Sequence, residues 1–132
     1  MTKHLTGSAT FTSWDEEPGY DTGAPVPRVA RASVVFRLEG DIVGTSTCHY
    51  AMYYASETEG VGLGIELLEA TVDGEEGTVA LRNEAAFAGA VDVTWTVVPG
   101  SGTGAFKGFE GSGGYRAEAS STTWNWRLDG EG

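Results

Sequence analysis

Residues Trp95–Ala117 read WTVVPGSGTGAFKGFEGSGGYRA, and the reading of this stretch decides the fold. An apolar run ends at Val98, Pro99 interrupts it, and glycines follow at positions 100, 102, 104, 108, 111, 113 and 114. Glycine reaches positive φ without a Cβ clash, so such a run demands tight backbone. Gly102, Gly104 and Gly108 approach the spacing of a dinucleotide-binding loop, but the third glycine is one place late and Phe109–Ala117 lacks a helical period. A phosphate cradle needs a strand before the glycines and a helix after them. No lysine followed by Ser or Thr completes a P-loop either. The stretch therefore reads as a corner between two strands of an all-β chain.

Working outward from the corner, the rest of the sequence keeps a period of two. Val91, Val93, Trp95 and Val97 share one face, with Asp92, Thr94 and Thr96 on the other. Beyond the corner, Phe109–Glu118 and Ser121–Leu128 read as strands, the second alternating Trp124, Trp126 and Leu128 with Thr123, Asn125 and Arg127. Upstream, His4–Ser13 places Leu5, Gly7, Ala9 and Phe11 on one face, and residues 14–27, with three prolines, read as a long loop. Val29–Glu39 turns through Gly40-Asp41 into Ile42–Ala55. A polar turn at Ser56–Gly60 leads to Val61–Val72, which Gly62 and Gly64 mark as strand rather than helix. Asp73-Gly74 is a hairpin signal, and Gly77–Phe87 precedes the turn Ala88-Gly89-Ala90. The expected fold is one domain over residues 1–132, an antiparallel up-and-down β-barrel of about eight strands. A barrel of that size is filled by side chains or holds one small ligand.

Charge and composition narrow the partners. Eight basic side chains stand against 19 acidic ones, a net charge of -11, which argues against nucleic acid and anionic membrane. Cys48 is the single cysteine, so no internal disulfide is expected, and MTKHLTGSATF lacks the apolar core of a signal peptide. A cytoplasmic location is the expectation, with no membrane span.

Metal and cofactor chemistry find little support. His4 and His49 lie on different strands, and Asp15, Glu16, Glu17 and Asp21 match no calcium-loop spacing. Cys48 and His49 are strand neighbours pointing to opposite faces, so they form no dyad, and a lone strand cysteine reads as a small buried hydrophobe. Glu66 and Glu69, three apart in an apolar strand, must also point to opposite faces. Glu66 shares its face with Gly62 and Gly64, which leave room beside it. If that face is the lumen, burial raises its pKa and makes it an acid or base near neutrality; a solvated glutamate or a pair with Arg82 is the plainer reading. Glu66 and Tyr50 are the candidate catalytic residues. Phe11, Trp14, Cys48, Met52, Arg82, Trp95, Trp124 and Trp126 are the candidate ligand contacts, with Asn125 a further polar lining group; the same rings could simply fill a core. Glycines in the first and fourth strands suit a hollow better than a packed interior.

SWDEEP at Ser13–Pro18, Arg31-Ala32-Ser33 and the WTVVPGSGTGAFKGFEGSGGY stretch together resemble the bacterial family called domain of unknown function 3224, nearly end to end. The resemblance implies the allene-oxide-cyclase-like barrel, shared with dirigent proteins and barrel spirocyclases, a cofactor-free lumen for an apolar small molecule, and assembly as a dimer or trimer. Where that family is expected to carry a Gln-His pair in the fifth strand, this chain has Arg82-Asn83. The functional expectation is a small-molecule-binding barrel, whose catalytic form would be a cofactor-independent cyclase or isomerase. A non-catalytic carrier and a structural oligomerisation module are the alternatives.

Overall fold

The computed structural model describes residues 2–17, 25–56, 58–118 and 123–132. Among the described residues nine strands follow in order: β1 (Thr2–Glu17), β2 (Arg28–Gly40), β3 (Val43–Tyr54), β4 (Glu59–Val72), β5 (Glu75–Ala88), β6 (Ala90–Val97), β7 (Thr103–Gly104), β8 (Glu110–Glu118) and β9 (Thr123–Glu131). Every pairing is antiparallel, and each long strand lies beside its neighbour in sequence. The pairing of β1 with β9 closes the sheet into an eight-stranded up-and-down barrel. β7 is a two-residue addition bonded to β5 at Gly77 and Thr78. Among the described residues, no helix is long and apolar enough to cross a membrane.

The turns are where the residue types require them. Asp73 and Gly74 both take positive φ, 51° and 80°, as a two-residue hairpin with right-twisted strands needs. At the other side of the barrel, β1 departs from expectation. It does not stop at Ser13 but runs to Glu17, because an irregularity between Phe11 and Ser13 inserts one residue. The bulge resets the alternation, so Trp14 and Glu16 turn toward the interior where an uninterrupted strand would have aimed them outward. Pro18, Asp21 and the remainder of the expected loop up to Ala24 lie outside the described residues, as do Ser121 and Thr122 of the last expected strand.

The glycine corner is more than a turn. Short bonds from Phe106 N to Thr103 O and from Phe109 N to Phe106 O, 3.0 and 2.9 Å, curl it back under the barrel. Ser101 Oγ donates to Val98 O at 2.7 Å and accepts from Ala80 N at 3.1 Å, tying the corner to β5. Phe106 and Phe109 are thereby driven into the core, edge to face at 6.2 Å. With Ile42, Leu68, Val72, Val79 and Leu128 they pack into the hydrophobic core. The hairpin turns at Asp41 and Asp73 lie on the same side as this plug, so it closes that end of the barrel. At the opposite end the inward positions include Ala30, Ala85 and Ala117, and nearer the rim Trp14, Tyr54 and Phe87 pack partly buried against the core.

Candidate functional site

One inward carboxyl organises the interior. In β4 the inward face runs through Gly62, Glu66, Leu68 and Val72, leaving Glu69 outside and exposed. Glu66 is 1% exposed, opposite Cys48 of β3 and Leu81 of β5. Its Oε1 accepts from Asn83 Nδ2 at 2.9 Å and from the Trp95 indole N–H at 3.2 Å. Those two donors are register partners on β5 and β6, so the barrel's own pairing converges them on one oxygen. Burial pushes the Glu66 carboxyl above its ordinary value, while Ser46, Asn83 and Trp95 pull it part of the way back. Desolvation wins, because a carboxylate stripped of water loses more than two or three hydrogen bonds return.

The groups around Glu66 are held neutral for the same reason. Burial, with the Glu66 carboxyl as a second cause, pushes the Cys48 thiol up to about 12. Burial also raises Tyr50 and Tyr115, whose hydroxyls stand near each other and near Glu66. Three buried polar atoms here make no hydrogen bond of good geometry, although Ser46 Oγ stands near the Glu66 carboxyl and Tyr115 Oη near Tyr50 and Asn83: Ser46 Oγ, Asn83 Oδ1 and Tyr115 Oη. Above them sits an aromatic stack in which Tyr115 lies flat on Trp124 at 5.1 Å, and Trp95 meets Tyr115 edge-on at 5.4 Å. Phe36 and Trp126 complete it, 5.3 Å from Trp124 and 6.4 Å from Trp95.

Most of the expected site residues come together. Glu66, Tyr50, Cys48, Met52, Trp95, Trp124 and Trp126 all face inward and are buried. Arg82 does not: it is exposed on the outer face of β5, and Asn83 takes the inward place beside Glu66. Asn125 is likewise outside. Phe11, 40% exposed, reaches the stack only by its contact with Trp124 at 5.8 Å. Trp14 is half-buried at the alanine-lined end, donating to Glu16 Oε1 at 2.9 Å; the Tyr54 hydroxyl donates to the same oxygen at 2.7 Å.

The inward glycines make room for rings instead of a hollow. A Cβ on Gly7 would lie 2.6 Å from the Trp126 ring, and one on Gly62 2.8 Å from Met52 Sδ. The missed residues carried a signal: Asn83 shares the parity of Val79, Leu81 and Ala85, and Ser46 that of Cys48 and Tyr50. Among the described residues no three His, Cys, Asp or Glu side chains stand together as metal ligands. Two clefts, of 1090 and 900 Å³, open on the outside. The first lies over Gly7, Gly113, Arg116 and Arg127, the second beside Glu16 and Met52, and neither is lined by Glu66.

The family model described as "Protein of unknown function (DUF3224)" matches residues 5–128. The chain belongs to the DUF3224 family. A crystal structure of a DUF3224 protein of unknown function from Shewanella oneidensis MR-1 superposes with a TM-score of 0.78 over 99% of this chain and 98% of that one. The two are 17% identical, so the likeness shows that the DUF3224 barrel is common to both. No curated protein matches the chain.

Proposed function

We propose that this barrel binds a small, largely apolar molecule carrying one hydroxyl or carbonyl oxygen, with that oxygen set against the Glu66 cluster. The observation that carries the reading is the set of atoms without a hydrogen bond of good geometry, Ser46 Oγ, Asn83 Oδ1 and Tyr115 Oη, around one buried carboxyl. Each buried polar atom left alone costs about 1–3 kcal/mol, and native interiors hold few of them without a water or ligand to answer. Between them they offer an acceptor, Asn83 Oδ1, and two hydroxyls that accept or donate. Apolar rings on one side, and alanines with Trp14, Tyr54 and Phe87 toward the mouth, suit a ligand that is otherwise hydrocarbon. Entry is from the alanine-lined end, since Phe106 and Phe109 close the other, and it requires the rings above Glu66 to part.

The same geometry supports a chemical step. With a carbonyl ligand, a neutral Glu66 protonates the bound oxygen, and the carboxylate so formed, held by Asn83 and Trp95, takes a proton from the α-carbon to give the enol. Glu66, protonated again, then returns a proton to a carbon further along the conjugated system as the carbonyl re-forms. Such an isomerisation needs no cofactor and is redox-neutral. Tyr50, kept neutral by burial, orients the substrate oxygen. A carrier would use the same groups without turnover.

The test uses tryptophan fluorescence, to which Trp95 beside Glu66 contributes together with Trp14, Trp124 and Trp126, during titration with medium-chain alcohols, ketones and a hydrophobic dye. Saturable quenching is expected, with stabilisation of about 2.7 kcal/mol at a hundredfold excess over Kd. Asn83→Leu abolishes it by removing the acceptor. If no probe saturates, or if Asn83→Leu binds as well as the parent, the reading fails. Glu66→Gln separates the two roles: a carrier still binds, whereas an enzyme binds without turning over.

A further inference from the structure

The outer face of β4 is apolar where a solvated strand would be polar. Val61, Leu63, Ile65 and Leu67 point away from the core and are 44% to 59% exposed. Alternate residues over this span form a stripe roughly 20 Å long. Exposed hydrophobics scattered singly are ordinary, but a contiguous stripe marks an interaction surface. Glu59 and Glu69, both exposed, bound it at its two ends. The barrel is closed along β4–β5 and β3–β4, so strand addition is barred and whatever covers the stripe must pack face to face.

The neighbouring strand supplies the clue to the occupant. Leu63 lies beside Glu84, and Ile65 beside Arg82. Both charges are exposed on the same outer face, and neither forms an ion pair among the described residues. The centre of this pattern is complementary to itself. A twofold axis crossing the strands at the level of Gly64 sets Leu63 on the copy's Ile65 and Val61 on the copy's Leu67. In the same operation Arg82 falls on the copy's Glu84 and Glu84 on the copy's Arg82, while at the two ends Glu59 comes over the copy's Glu69, about 17 Å along the strand from the axis, where the curving barrel walls have drawn apart. Self-complementarity under a twofold is what an isologous interface requires. We propose that the chain forms a homodimer through this face, with β4 antiparallel to β4 of the second copy and two reciprocal Arg82–Glu84 pairs beside the aliphatic core. The four side chains give an apolar centre on the order of 400 Å² per copy, the size of the largest patch a monomer leaves bare, which is often a functional one. The flanking strands extend it toward the roughly 800 Å² per partner of a stable complex.

The experiment is sedimentation equilibrium on the whole chain, with circular dichroism to confirm that each variant is folded. The parent is expected to sediment as a dimer. Ile65→Lys, at an exposed position that folding does not need, weakens association by at least about thirtyfold, the equivalent of losing one hot spot. Arg82→Glu and Glu84→Arg each weaken it by setting like charges together, and the double exchange restores it. A monomeric parent overturns the proposal, including a monomer that instead binds a different protein or neutral lipid vesicles. So does a dimer indifferent to Ile65→Lys. If Ile65→Lys breaks the dimer while both charge reversals leave it intact, the antiparallel arrangement is wrong.

Discussion

Glu66→Gln should change how stability depends on pH in a way that no surface carboxylate can imitate. The ordinary value for this side chain is 4.5, and burial raises it in the folded protein. Below the ordinary value, both folded and unfolded chains carry the proton. Between that value and the raised one, only the folded chain does, so each pH unit of increase costs the fold about 1.4 kcal/mol. Above the raised value both forms are ionised and the loss is complete. The stabilising contribution is therefore present in acid and disappears as pH rises. Glutamine keeps the Oε1 acceptor for Asn83 and Trp95 but cannot ionise, so the variant lacks this slope. Unfolding entropy of about 2.1 cal/mol/K per residue converts the slope to roughly 5 °C of Tm per pH unit for a chain of this size. The assay is thermal melting of parent and variant across acid to mildly alkaline buffers. The other 18 acidic residues act equally on both, so the difference isolates Glu66. A Tm gap that stays constant with pH, or that favours the parent as pH rises, would refute the account of Glu66 as a carboxyl that folding keeps neutral.

Three further outcomes follow from the packing. Phe106→Ala empties the closed end and should cost about 3–5 kcal/mol, read as a lower urea midpoint at unchanged m-value. Gly7→Val sets a side chain against Glu39 O and the Trp126 ring; overpacking against backbone and a buried indole should cost at least about 1–3 kcal/mol, seen in the same denaturation curve. Cys48, fully buried and with its thiol pushed up to about 12, should stay unmodified by an aromatic disulfide reagent at neutral pH and react at once in denaturant.

Much of the barrel was legible because a two-residue period survives wherever one face is buried. That is why Val91–Val97 could be assigned face by face, and why Glu66 could be put on one face with Gly62 and opposite Glu69, although the sequence left open whether that face was the lumen or solvent. What escaped had specific causes. The bulge after Phe11 changes the parity of β1 without leaving a glycine or proline to announce it, so the sequence of Trp14 and Glu16 looks like loop. Arg82 drew notice as a charge, yet the neutral Asn83 next to it holds the site, because the parity of Leu81 and Ala85 belongs to Asn83. Phe106 and Phe109 were hidden among glycines, since a corner that folds back under the barrel has no period to read. The glycines themselves pointed to empty space, whereas Trp126 and Met52 occupy it. A sequence shows where a Cβ is missing, and only the neighbouring strand shows what moves in.

The seam between β1 and β9 governs how the chain must come together. Thr2 pairs with Glu131 and Ala9 with Trp124, so the first strand made meets its second neighbour only when the last strand has emerged. Until then the nascent chain is an open, curling sheet whose two lips, β1 and β8, expose unpaired amides and carbonyls. Ring closure is the most non-local event in the molecule and carries the entropy of joining the ends of the whole chain. A ribosome stalled before Trp124 therefore leaves behind an adhesive ribbon with an unsealed edge, and the last nine residues of sheet convert that ribbon into a barrel.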